Sequence, residues 1–129
     1  MRKTYFFLFA AIGWFVISII LLTLPGTAFP KEDWLDKIWF DKWVHIGMFS
    51  ILVWLWCSYW HLFKLNETAD TFRKAFIIIG LICLAYGIVM EFVQKFCIPY
   101  RSFDIGDIIA DAVGCTLGSM FSTRRYIKK

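Results

Sequence analysis

Hydrophobic positions in this chain gather into four long runs separated by polar connections. Tyr5–Leu24 carries no charged residue, and Trp43–Phe63 is broken only by His45 and His61. Ala75–Val93 is charged only at Glu91, and Ile105–Phe121 holds Asp107 and Asp111. A helix needs about 20 mostly apolar residues to cross the hydrocarbon core of a bilayer. An open strand edge would leave backbone groups unsatisfied in lipid, so each span is predicted to be helical. The pattern therefore predicts an all-α polytopic membrane protein. It has one membrane domain over 1–129 and a bundle of four transmembrane helices at about 5–24, 43–63, 75–93 and 105–121.

The first run has Arg2 and Lys3 ahead of it and Gly26-Thr27-Ala28 behind it, as a cleaved signal peptide would. It is longer than an h-region of about 7–15 residues, so it reads as a retained helix. The connection from Pro25 to Phe40 contains Trp34-Leu35-Asp36-Lys37-Ile38-Trp39-Phe40, which suits a short helix lying on the membrane surface. Pro99 in the last connection stops the third helix from continuing.

Composition agrees with the runs. Hydrophobic residues are 60% of the chain, against about 45–50% in soluble domains, and the mean hydropathy is +0.64. The net charge of +4 is modest and its basic residues sit at the chain ends and in loops, which argues against a nucleic-acid binder. Lys and Arg set orientation. With the amino terminus in the cytoplasm, Arg2, Lys3, Lys64, Arg73, Lys74, Arg124, Arg125, Lys128 and Lys129 fall inside, and Lys31, Lys37, Lys42, Lys95 and Arg101 fall outside. Both termini are expected to be cytoplasmic. Cys57, Cys83, Cys97 and Cys115 have no metal-ligand spacing and read as small apolar packers.

The candidate chemistry collects at the outer helix ends. The second helix opens with Asp41-Lys42-Trp43-Val44-His45, placing Asp41 and His45 on one face. The third closes with Glu91-Phe92-Val93-Gln94, and Arg101, Asp104, Asp107 and Asp111 surround the start of the fourth. At about 100° per residue, Asp104, Asp107, Asp111, Gly114 and Gly118 share an arc of roughly 80°, and Gly80, Cys83, Gly87, Glu91 and Gln94 share another. Each seam is small-residue at depth, where helices can approach closely, and ionisable near the surface. The two seams are expected to face each other and bring the carboxylates together, with Arg101, Lys42 and His45 as counter-charges. Taken singly, Asp41 and Asp107 suit helix caps, and His61 suits a membrane boundary. Glu91 and Asp111 are stronger candidates, since ionisable groups inside a membrane span are functional by default.

The ordered fragments Asp41-Lys42-x-x-His45-x-x-x-Phe49, Glu91-x-x-Gln94, Arg101-x-x-Asp104-x-x-Asp107 and Gly114-x-x-x-Gly118 resemble the VanZ-like family of small bacterial membrane proteins. The resemblance runs from about Asp41 to Gly118 and implies a four-helix protein of the inner (cytoplasmic) membrane. The family's founding member is associated with low-level resistance to the glycopeptide antibiotic teicoplanin, by an unestablished mechanism. The family often has Asn where this chain has Asp111.

Three functions compete at this point. The first is an envelope protein whose outward-facing pocket of Asp41, Lys42, His45, Glu91, Gln94, Arg101, Asp104, Asp107 and Asp111 binds an anionic ligand. That ligand would be a lipid-linked peptidoglycan precursor, a headgroup or a peptide carboxylate, with Arg101 and Lys42 as anion holders. The second is an enzyme acting on a lipid phosphate. There His45 and Glu91 serve as catalytic acid and base, and Asp41, Asp104 and Asp107 hold a divalent cation as cofactor. The third is transport along the carboxylates, which lack polar counterparts in the inner half. The lipid bilayer is the expected partner, and a homodimer is left open.

Overall fold

The structure is a computed structural model that describes residues 1–25, 40–99 and 101–127. It is all-helical: α1 spans Arg2–Thr23, α2 Phe40–Phe63, α3 Ala69–Cys97 and α4 Ile105–Tyr126. These four helices are long and apolar enough to cross a membrane. The surface helix expected over 34–39 lies outside the described residues, as do Lys31, Lys37, Lys128 and Lys129; Phe40 opens α2 instead.

Most helices outrun the apolar run that marked them, because helix propagates into polar flanks that supply their own caps. The Thr68 hydroxyl accepts a hydrogen bond from Thr71 N–H and starts α3 six residues before its apolar run. The Asp104 carboxylate accepts one from Gly106 N–H at 2.8 Å and starts α4. Each side chain satisfies a donor that the first helical turn leaves unpaired. Asp104 is thus the cap of α4, the role expected of Asp107.

The helices run alternately up and down. The chain's start and finish therefore share one end of the bundle, and the carboxylates lie at the other. The α2–α4 pair is the most extensive, α3 lies across both, and α1 packs on α2 and touches α3. The core is Phe49, Leu52, Val53, Cys57, Phe72, Phe76, Cys83 and Cys115. All four cysteines are free and three are buried as apolar packers. His61 is sandwiched between Phe72 and Tyr126, with ring centroids 4.8 and 4.6 Å away.

Polar side chains inside the bundle are spent on joining helices. The Ser18 hydroxyl donates to Phe15 O within α1, so the Tyr86 hydroxyl, 2.8 Å away, donates to Ser18 and ties α3 to α1. Ser58 and Tyr126 repeat the arrangement between α2 and α4 at 2.7 Å. Trp14 Nε1 donates to Met48 O at 2.9 Å.

The expected pairing of the two small-residue seams is corrected in part. Gly80 and Gly87 of α3 do face α4, at Ser119 and Asp111. Gly114 and Gly118 face α2: a Cβ on Gly114 would stand 2.6 Å from Ile46 O, and one on Gly118 would stand 2.6 Å from Ser50 O. Side chains that small let two backbones touch, which is why α2 and α4 form the tightest crossing. Ser50 uses the closeness by sharing its hydroxyl proton between Ile46 O and Gly114 O.

Candidate functional site

Asp41 and Lys42 lie in the first turn of α2, where a carboxylate also favours the positive helix terminus. Lys42 bends over the start of α4, and its ammonium meets three carboxylates. It donates to Asp41 at 2.9 Å, to Asp107 at 2.6 Å, and to Asp104. One turn deeper, His45 Nδ1 lies 2.7 Å from Asp111 Oδ1, and His45 Nε2 lies 3.8 Å from Asp107 Oδ2. Glu91 comes in from α3 and accepts a hydrogen bond from Asp104 N–H at 3.1 Å. Its carboxyl group also lies against Asp107.

The cluster is graded by depth. The Asp41 side chain is 61% exposed, Asp104 45% and Asp107 9%. His45, Glu91 and Asp111 are buried. The floor is apolar: Phe49 is fully buried, and its ring stacks beside His45 and lies tilted against Tyr86. A Cβ on Gly87 would stand 2.6 Å from Asp111 Oδ2, so the bare glycine makes room for that carboxylate between α3 and α4.

Five carboxyl groups, Asp41, Glu91, Asp104, Asp107 and Asp111, thus converge on Lys42 and His45. Buried carboxylates without counter-charge are strongly unfavourable, so the two basic groups hold the cluster together. The hydrogen bond from Lys42 holds the Asp104 carboxyl below its ordinary value, reinforced by Gly106 N–H and opposed by partial burial. A carboxyl depressed by folding contributes stability above its unfolded pKa, and that contribution drains as pH falls toward the lower folded value. Thermal unfolding in detergent should therefore show stability declining below about pH 4. A Tm that holds steady down to pH 3 would contradict the Lys42–Asp104 pairing.

Oxygen atoms of Asp41, Asp104 and Asp107 lie within 4.8 Å of one another, the spacing of an oxygen-ligand cation site. The Lys42 ammonium sits among those same oxygens. As arranged, the three residues fit an alkylammonium, and a divalent metal would require Lys42 to leave.

The remaining residues singled out from the sequence take other positions. Gln94 is buried and turned toward α1, where its amide donates to Leu22 O at 2.9 Å, satisfying a carbonyl of the helix C-terminus. Arg101 is half-buried in the connection between α3 and α4. Sequence reasoning missed Tyr86, and it placed Gly87 on the seam of α3 without marking it as the slot for Asp111. The one trace of Tyr86 was a hydroxyl inside an apolar run, and nothing local marks a glycine as the neighbour of a carboxylate 24 residues on.

The sequence model of the VanZ/LLP1 family matches residues 4–126. The chain belongs to the VanZ/LLP1 family. An uncharacterized protein of Schizosaccharomyces pombe is 35% identical over 83 residues, which are 64% of this chain and 46% of that protein. The chain spans about half the length of this curated relative. No solved structure matches. Membership covers all four spans, so the polar cluster belongs to the family's own membrane domain. In this VanZ/LLP1 chain the acid at Asp111, where the resemblance pointed to a frequent Asn, is the partner of His45 Nδ1.

Proposed function

We propose that this protein is a multi-pass component of a bacterial cytoplasmic membrane whose carboxylate cluster opens outward and binds a zwitterionic envelope ligand. Both termini are then cytoplasmic, in line with the excess of Lys and Arg at that end. The observation that carries the reading is the Lys42 ammonium held by Asp41, Asp104 and Asp107. Lys42 is an internal stand-in for a ligand amine, which takes its place as Lys42 swings outward. Arg101 suits the ligand's phosphate or carboxylate, since a guanidinium pairs with planar anions through two hydrogen bonds. Lipid-linked peptidoglycan precursors with an amine-bearing peptide combine these groups, as does phosphatidylethanolamine. Sequestering or shielding such a ligand would be this protein's route to glycopeptide tolerance.

The test is binding of a lysine-containing lipid-linked precursor, and of phosphatidylethanolamine, to purified protein in nanodiscs. At least one should bind, and N-acetylation of its amine should weaken binding about tenfold or more, as loss of a charge-assisted hydrogen bond does. Asp107→Asn should weaken it similarly. Equal affinity for the free and acetylated probes would sink the proposal. One observation favours a second reading: Asp111 anchors His45 at Nδ1 and leaves Nε2 on the side of Asp107, the geometry of an oriented acid–base histidine. Chemical turnover of either probe in the same mixtures, abolished by His45→Ala, would move the protein to the enzymes.

A further inference from the structure

From the level of Ala112 to Arg124, toward the end opposite the carboxylates, the seam of α3 and α4 carries an apolar surface groove of about 510 Å³. Its walls are Ile77, Leu81 and Leu84 of α3 and Ala112, Thr116 and Met120 of α4. The hydroxyls within it are already spent: Thr116 donates to Ala112 O, Thr123 to Ser119 O and Ser119 to Phe76 O. The groove therefore presents hydrocarbon and has no free hydroxyl donor for a partner helix. Arg124 lines its terminal end. Arg73 is exposed and four residues before Ile77, hence on the same face of α3.

We propose that this groove is a specific site for an anionic phospholipid, one acyl chain lying between α3 and α4 and the phosphate meeting Arg124 and Arg73. Charge selects this occupant over a second copy of the chain. Two copies inserted in the same direction would bring their Arg124 side chains to one depth across a two-fold axis, where like charges repel. An anionic headgroup neutralises them. Arg2, Lys3 and Lys64 lie at the same end and add to the attraction.

The experiment is native mass spectrometry of the purified full chain, offered equal amounts of phosphatidylglycerol and phosphatidylcholine in detergent. Wild type should retain phosphatidylglycerol preferentially. Arg124→Gln should lower that preference about fivefold, the weight of one basic residue at an anionic surface, and Arg73→Gln should do the same independently. Arg125→Gln removes equal charge from a residue that does not line the groove and should leave the preference unchanged. No preference in wild type, or an equal loss with Arg125→Gln, overturns the site. Disulfide cross-linking of two Thr116→Cys copies in membranes would also overturn it, by assigning the groove to a second copy.

Discussion

Lys42→Met should cost the fold about 3 kcal/mol, the largest effect expected of any single substitution at the polar end. Methionine keeps the length and bulk of the stem, so the packing lost is small. What disappears is the one ammonium shared by Asp41, Asp104 and Asp107. Stranding buried charges typically costs about 3–5 kcal/mol; the lower figure applies because Asp107 is the buried one of the three carboxylates and water screens Asp41 and Asp104. In a chain of this size the loss corresponds to a drop in Tm on the order of 10 °C. The pH dependence should also change sign. Wild type loses stability in acid as Asp104 takes up a proton, whereas Lys42→Met gains it, because protonation relieves the unbalanced carboxylates. Adding Asp107→Asn to Lys42→Met should recover a large part of the loss, since contacting residues are not additive. A Lys42→Met protein that melts with wild type would show that the three carboxylates do not depend on this ammonium.

Gly114→Ala should have the second large effect, about 1–3 kcal/mol, through the crossing of α2 and α4. The new Cβ would stand 2.6 Å from Ile46 O and 3.0 Å from Phe49 Cβ. A helix carbonyl cannot rotate aside as a side-chain tip can, so the two helices must separate. Gly118→Ala meets Ser50 O at 2.6 Å and Val53 Cβ at 2.9 Å and should behave likewise. The double variant should cost less than the two singles combined, because one separation relieves both clashes. Gly13 and Gly47 have nothing within 4 Å of a Cβ, so alanine there should be neutral or mildly stabilising. Unfolding in detergent distinguishes the pairs. The same separation would lengthen the 2.7 Å contact between His45 and Asp111, so Gly114→Ala should also weaken ligand binding without touching a polar residue. Equal stability of all four single variants would remove the tight crossing.

Four spans were legible in the residues because lipid leaves a backbone few choices. An apolar run long enough to cross must satisfy its own peptide groups, and only a helix does so within one segment. Helical phase then placed Asp104, Asp107 and Asp111 on one face of α4, and Glu91 on the inward face of α3. The tertiary structure decided which neighbour each face meets, since spacing within one helix carries no information about the partner across the gap. So Gly114 and Gly118 proved to face α2, Gln94 turned to the end of α1, and Lys42 reached the acids of α4 at the place suggested for a metal. A lysine stem is long and flexible, and only the fold's geometry determines where its ammonium comes to rest.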